Sequence, residues 1–242
     1  MSAQHDDEAN RYVYKGTELD VFALATNWKA YWASRIETHI GSRVLEVGAG
    51  LGATARILCG NQKKWIALEP DPALARRMRN DVHAGDLPSI CDVRTGTLQD
   101  LDASERFDTV LYIDVLEHIK NDRDELERAM SRLDVDGRII VLAPAHQFLY
   151  TAFDKSIGHF RRYDRGMISA LNPSGLTLSR FEYLDSFGFL ASLGNRALLN
   201  SSIPSASQIL FWDRFMVPVS RYLDPFLGRS FGKSVLAVWR KN

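Results

Sequence analysis

Hydrophobic and polar positions in the middle of the chain follow a repeating strand–helix pattern. Helical patterns separate the apolar runs; the best defined starts at Asp122, with Glu125 completing a capping box. Asp71 before Pro72 predicts another helix start. Strands that alternate with helices pair in parallel through right-handed crossovers, which predicts a doubly wound α/β sheet. Its first five strands are predicted at 44–47, 65–69, 91–94, 107–114 and 138–142.

The alternation stops after Pro144, and the rest of the chain adds two strands and an insertion. Apolar runs at 176–187 and 234–239 predict the sixth and seventh strands. The segment between them is rich in Phe, Leu, Trp and Pro, which is too apolar for a solvated linker. We interpret it as packed over the carboxyl edge of the sheet, either as a lid, as further core or as a dimer interface. We expect one domain over 1–242: a helical cap at 1–40 with Tyr12 and Tyr14, a core of 41–188 and 233–242, and an insertion at 189–232.

Composition narrows the class of protein further. Thirty Lys and Arg residues balance thirty Asp and Glu residues, so no net positive field attracts the chain to nucleic acid, and no nucleic-acid partner is predicted. The amino terminus is polar and acidic, and no apolar run reaches the ~20 residues that span a bilayer, so we expect a cytoplasmic protein. Peripheral membrane contact and the oligomeric state remain open. Cys59 and Cys91 form no CxxC pair, and no metal site is predicted.

A glycine-rich loop follows the first predicted strand. Gly48, Gly50 and Gly52 permit a tight turn and a close ligand approach, but Gly48, Gly50 and Ala53 also fit a dinucleotide-binding loop. Glu46 just before the loop disfavours a pyrophosphate and suits a ligand with an ammonium and a sulfonium group; otherwise it caps loop amides. Glu69, at the end of strand two, is placed to accept hydrogen bonds from ribose hydroxyls, unless it only serves as an anion at the start of the next helix.

Several stretches in order resemble the motifs of the class I S-adenosylmethionine-dependent methyltransferases. They are residues 44–52, 68–71, 96–101, 107–110, 114–118 and 133–137. Residues 158–163 further resemble an element of the bacterial small-molecule branch, which is related to the ubiquinone-type enzymes. The resemblance implies the Rossmann-like fold of that class, with a mainly parallel seven-stranded sheet, and S-adenosylmethionine as the methyl donor that leaves as S-adenosylhomocysteine.

The resemblance also assigns the cofactor residues by position. The methionyl part is expected beside Glu46 and the loop, the ribose at Glu69, the adenine between Thr97 and Leu98, and the sulfonium near Asp114 and His118. Thr97 stands where many relatives carry Asp, so a main-chain group is an alternative adenine partner. The complete expected cofactor set is Glu46, Gly48, Ala49, Gly50, Gly52, Glu69, Pro70, Thr97, Leu98 and Asp114.

Methyl transfer to a hydroxyl requires alignment and removal of a proton, a task that suits histidine. Three candidates follow strand ends: His118, His146 and His159. For His118, the alternative roles are stacking beside the cofactor and capping the next helix. Arg161, Arg162, Tyr163 and Trp212 are the predicted substrate-binding residues. The two arginines would clamp an acidic group, or else form surface ion pairs with Asp154 and Asp164.

These observations predict a methyltransferase that acts on the oxygen or nitrogen of a small, partly apolar acceptor. A secondary metabolite or a lipid-linked intermediate fits the aromatic cap and insertion. Two alternatives stay open, a cofactor-binding but inactive partner subunit and a nicotinamide-dependent oxidoreductase.

Overall fold

The computed structural model describes residues 14, 16, 18–198 and 205–242. Tyr12, which we assigned to the cap, lies outside the described residues, as do 199–204 of the insertion. The strands are β1 (Arg43–Val47), β2 (Lys64–Glu69), β3 (Cys91–Thr95), β4 (Phe107–Ile113), β5 (Leu133–Pro144), β6 (Leu176–Leu184) and β7 (Ser234–Lys241).

Ten α-helices accompany these strands in the described part of the chain. They are α1 (Glu18–Phe22), α2 (Thr26–Ile36), α3 (Ala53–Leu58), α4 (Pro72–Ala84), α5 (Asp122–Ser131), α6 (Ala152–Ser156), α7 (Arg165–Ala170), α8 (Ser186–Leu198), α9 (Ala206–Phe211) and α10 (Val217–Phe226). A π-helical segment, Trp212–Met216, joins α9 to α10 without a break. No described helix is long and apolar enough to cross a membrane.

The seven strands form one sheet in the order β3-β2-β1-β4-β5-β7-β6. Strands β1 to β5 pair in parallel, and β7 runs antiparallel between β5 and β6. The prediction of a mainly parallel, seven-stranded, doubly wound sheet is therefore confirmed. Neighbouring positions such as Val44 and Leu45 belong to separate hydrophobic layers, because successive strand side chains point to opposite faces.

One local sequence prediction differs from the structure near α5. The residue before the helix is Asn121 and no side chain caps it, so the predicted capping box is wrong. Glu125 instead accepts a hydrogen bond from the Tyr112 hydroxyl at 3.0 Å, because its side chain turns inward toward the sheet. The helix ends at Ser131, and Asp136 lies within β5 at a φ of 63°.

The amino-terminal cap and the insertion are joined through buried carboxylates. Asp213 accepts hydrogen bonds from the backbone N–H groups of Asn27 and Trp28, at 3.1 and 2.8 Å, and so caps α2 from a distant part of the chain. Asp224 accepts the Tyr31 hydroxyl at 2.7 Å. These bonds hold α2 and the insertion together as one cover over the sheet.

Candidate active site

A cavity of about 1440 Å³ lies at the carboxyl edge of the parallel strands. This is where ligands bind in open α/β sheets. Its walls come from the loops after β1, β2, β3, β4 and β5, from the amino-terminal cap and from α8 and α9. It therefore unites residues from almost the whole described chain in one site.

The glycine loop brings main chain directly against the cavity. The φ angles of Gly48, Gly50 and Gly52 are 67°, 58° and 74°, in a region that residues other than glycine rarely adopt. A Cβ on Gly48 would stand 2.7 Å from a methyl carbon of Val115, whereas one on Gly50 would meet open space. Gly48, Ala49 and Gly50 line the cavity, while Gly52 turns the chain into α3 behind them.

Glu69 ends β2 and connects this loop with the next one. Its carboxylate accepts the backbone N–H groups of Gly50 at 2.7 Å and of Asp71 at 2.8 Å. Burial raises the pKa of Glu69, and these two N–H groups act in the opposite direction by stabilising its charge. Each oxygen keeps a lone pair for another donor, and both Glu69 and Pro70 line the cavity, as a ribose site requires.

Of the two residues predicted to flank adenine, Thr97 and Leu98, only Thr97 lines the cavity. Thr97 also forms a capping box with Asp100. The Leu98 side chain is buried in the hydrophobic core and does not line the cavity, because its short helical turn directs it inward. Gln99 lines the cavity instead.

Glu46 does not reach the cavity, contrary to its predicted contact with the ligand. Its carboxylate is buried and accepts the Trp65 indole N–H at 3.0 Å, because Glu46 and Trp65 of the neighbouring strand β2 project from the same face of the sheet. Burial raises the pKa of Glu46 to about 7, although hydrogen bonds from Trp65 and Thr54 oppose that shift. Thr54 lines the cavity and is the nearer polar contact for a ligand.

Four polar side chains meet on the floor of the cavity. They are Asp114, Glu117, His118 and His159. Glu117, His118 and His159 each offer one atom that could bind a metal ion, and these three atoms lie within 4.8 Å of one another. Asp114 holds a φ of 54°, and burial raises its pKa to about 6. Burial, followed by the effect of His159, lowers the pKa of His118 to about 4, so this ring is neutral at physiological pH.

His159 is oriented by a chain of hydrogen bonds behind it. Its Nδ1 lies 3.0 Å from Asp154 Oδ1, and Asp154 in turn accepts two bonds from the Arg162 guanidinium, at 2.8 and 2.9 Å. Burial alone would raise the pKa of Asp154, but the hydrogen bonds from His159 and Arg162 outweigh burial, so the pKa is lowered. A carboxylate at Nδ1 favours the tautomer in which Nε2 carries no proton, and Nε2 lies 3.8 Å from Glu117 Oε1.

The predicted arginine clamp is replaced by structural ion pairs. Arg161 pairs with Asp122 and donates to the carbonyls of Ile119 and Lys120. Tyr163 is fully buried and donates to Asp122 as well, so neither Arg161 nor Tyr163 lines the cavity. Arg162 does line it, but its guanidinium is engaged by Asp154 and not by Asp164.

His146 also lies away from the cavity. Its ring stacks on Tyr183 at a centroid distance of 4.8 Å and an angle of 11°, with Phe148 and Phe189 on its other sides. A φ of 64° turns this residue out of the line of β5. A role as the base of a reaction in the cavity is therefore not supported for His146.

Aromatic side chains form much of the apolar wall. Trp28 and Trp32 of the cap and Trp212 of the insertion line the cavity, as does Tyr14. The Trp212 indole N–H donates to the buried Asp185 at 2.7 Å, which leaves its ring face for packing. The Lys233 ammonium lies 4.6 Å from the centre of that ring.

Two site residues were given no role by the sequence reasoning. Glu117 stood within a recognised motif, but nothing in the pattern showed that its carboxylate would be buried without a hydrogen-bond partner among the described residues. Lys233 precedes β7, and no spacing connected it with residues after β4. Its position depends on the antiparallel return of β7 beside β5.

Comparison with known proteins identifies the family. Residues 23–180 match the family model described as "Methyltransferase domain". Ubiquinone biosynthesis O-methyltransferases are 32% identical over 42% of this chain and 40% of the relative in Azorhizobium caulinodans, and 31% identical over 42% and 39% in Bradyrhizobium diazoefficiens. The matched region thus covers about two fifths of the curated relatives' length.

Among solved structures, coclaurine N-methyltransferase bound to N-methylheliamine and S-adenosylhomocysteine has a TM-score of 0.60 and 15% identity. The comparison covers 96% of this chain and 76% of the other, and it shows a shared fold. The family model spans well over half of the chain, and the sheet order and glycine loop agree with it. The chain therefore belongs to the methyltransferase domain family, in the class I group that uses S-adenosylmethionine.

Proposed function

We propose that this protein transfers the methyl group of S-adenosylmethionine to a hydroxyl or amine of a small, partly apolar acceptor. The observation that carries the proposal is one cavity that contains both the Gly48–Gly50 loop with Glu69 and the polar floor around His159. The first part suits a ribosyl cofactor, and the second suits a group that must lose a proton. The aromatic walls favour an acceptor with apolar surface.

The same residues support a binding mode for the cofactor. Glu69 would hold the ribose hydroxyls, the loop amides would face the methionyl part, and Thr97 would lie at the adenine end. Asp114 would lie toward the sulfonium. The positive charge of the sulfonium already makes the methyl carbon electrophilic. The residues of this chain therefore mainly align the acceptor and exclude water.

His159 is the proposed base for a hydroxyl acceptor. Its Nδ1–H is held by Asp154, so Nε2 takes the acceptor proton as the new bond to the methyl carbon forms. Asp154 and Arg162 are positioning residues: Arg162 holds the Asp154 carboxylate in place, and that carboxylate stabilises the resulting imidazolium. His118 stands perpendicular to His159 with centroids 4.5 Å apart and stays neutral, which avoids a second positive charge beside the base.

Helices α8 and α9 are the proposed lid over the acceptor. Gly188, Ala191 and Ser192 of α8 and Ile209 of α9 line the cavity. The names of the relatives support both oxygen and nitrogen as the methylated atom, and a lipid-linked ring or a secondary metabolite is the acceptor class that fits the aromatic wall.

Two measurements test the proposal. Titration calorimetry should detect binding of S-adenosylmethionine and S-adenosylhomocysteine and none of NAD. Incubation with labelled S-adenosylmethionine and a panel of catechols, phenols and hydrophobic amines should give a methylated product and S-adenosylhomocysteine. NAD binding would favour an oxidoreductase, and cofactor binding without turnover across a metabolite extract would favour an inactive partner subunit.

The base is tested separately. His159→Ala should lower kcat by about 10²–10⁴-fold with a hydroxyl acceptor and leave cofactor affinity nearly unchanged. His146→Ala is the matched control and should lower kcat less than about tenfold, since that ring is outside the cavity. Two imidazoles and a carboxylate also suit a divalent cation, so each rate is measured with EDTA and with added Mg²⁺ or Zn²⁺. A rate that requires the cation would overturn the base assignment and make these side chains ligands.

A further inference from the structure

The outer face of the 206–226 helical run is apolar although its inner face is already buried. Phe211, Phe215, Tyr222 and Phe226 are 54%, 62%, 69% and 76% exposed. Their spacing of four, seven and four residues places them on one side of a helix. A helix on the surface of a globular protein normally buries one apolar stripe and exposes polar residues on its other side. This run departs from that pattern, because its exposed side is apolar as well.

The exposed rings find partners mainly among themselves. Phe211 and Phe215 lie 5.2 Å apart between centroids, and Tyr222 and Phe226 lie 5.4 Å apart. Helix α8, which packs against α10, adds Leu190 at 54% exposure. Exposed apolar side chains grouped on one face in this way mark an interaction site in a folded protein.

The charges beside these rings select the partner. Arg214 and Arg221, seven residues apart on one flank, are exposed and form no ion pair with a described residue. The two acidic residues of this run, Asp213 and Asp224, are both turned inward and buried. The exposed charge of the described run 205–228 is therefore entirely positive. A symmetric contact between two copies would bring these arginines together without a neutralising acid.

We infer that this aromatic face docks on the surface of a phospholipid bilayer that contains anionic headgroups. The rings enter the boundary between headgroups and acyl chains, and Arg214 and Arg221 contact lipid phosphates. The inner side of the same helical run, through Ile209, Trp212 and Met216, lines the cavity. Docking therefore holds the catalytic cavity close to apolar molecules dissolved in the membrane.

Vesicle sedimentation tests this inference without any knowledge of the acceptor. The purified protein should bind vesicles of phosphatidylcholine mixed with phosphatidylglycerol, and bind phosphatidylcholine alone more weakly. The double variant Phe215→Ser/Phe226→Ser should lose at least about tenfold in partition to the mixed vesicles. Arg214→Gln/Arg221→Gln should reduce the difference between the two vesicle types and the sensitivity to salt.

Val135→Ser is the matched control, because Val135 is 73% exposed in β5 near the amino-terminal side of the sheet and should not alter partition. Titration with S-adenosylhomocysteine shows that each variant is folded, independently of the acceptor. Absence of wild-type binding to either vesicle, or equal binding by wild type and the aromatic double variant, would overturn the inference. A wild-type dimer that dissociates in that double variant, measured by light scattering, would also overturn it and assign the face to a second copy.

Discussion

Glu69 offers the sharpest test of the cofactor site, because one carboxylate has two duties. It holds the backbone of Gly50 and Asp71, and its free lone pairs are the proposed partners of the ribose hydroxyls. Glu69→Ala removes both kinds of bond. Hydrogen bonds to a charged group contribute about 1.5–3 kcal/mol, so loss of the ribose contact alone should weaken binding about 10- to 160-fold.

The structural duty must be measured alongside. Loss of the acceptor for two backbone N–H groups, one of them on the loop, should lower the free energy of unfolding by about 1–3 kcal/mol. Urea denaturation without ligand gives that quantity, and calorimetry with S-adenosylhomocysteine at a temperature where the variant is folded gives the affinity.

Glu69→Gln serves as the graded control. One carboxamide oxygen still accepts a hydrogen bond, but the NH₂ group meets a backbone donor, so the variant should fall between wild type and Glu69→Ala. The reasoning fails if Glu69→Ala is folded and binds S-adenosylhomocysteine within about threefold of wild type. Equal losses with adenosine and with S-adenosylhomocysteine would support the ribose as the contacted part.

Three further predictions concern stability and the acceptor. Asp213→Ala should lower the free energy of unfolding by about 1–3 kcal/mol in urea titration, because the buried N–H groups of Asn27 and Trp28 lose their acceptor; no change would contradict the capping of α2 by the insertion. The pKa of His118 is 6.5 in the unfolded chain and about 4 in the folded protein, so below pH 6.5 the unfolded chain binds the proton more readily. The free energy of unfolding should therefore be unaffected by this group above pH 6.5 and should fall by about 2 kcal/mol by pH 5. His118→Asn should remove that part of the pH dependence of unfolding, and identical slopes would disprove the burial effect. Ala191→Phe should raise the acceptor KM at least about tenfold while calorimetry finds normal cofactor affinity, and an unchanged KM would place the acceptor elsewhere.

The doubly wound α/β sheet and the glycine loop were readable from the sequence because both depend on local patterns. Apolar runs of five to seven residues separated by helices leave few sheet topologies, and Gly48 and Gly50 need their special backbone angles wherever the loop lies. Asp71 before Pro72 predicted a helix start, and Asp71 does cap α4. The position of Glu69 at the end of a strand was likewise readable from the sequence.

The polar floor of the cavity depends on contacts between distant residues, which no local pattern records. His146 and His159 both follow strand β5, yet one packs on Tyr183 and the other on Asp154, since the loop between them folds back along the sheet. Glu46 had the expected sequence position, but the indole of Trp65 on the next strand takes its carboxylate. The apolar composition of the insertion was visible in the sequence. Which of its rings would be buried and which exposed was decided only when Asp213 and Asp224 fixed the rotation of its helices against α2.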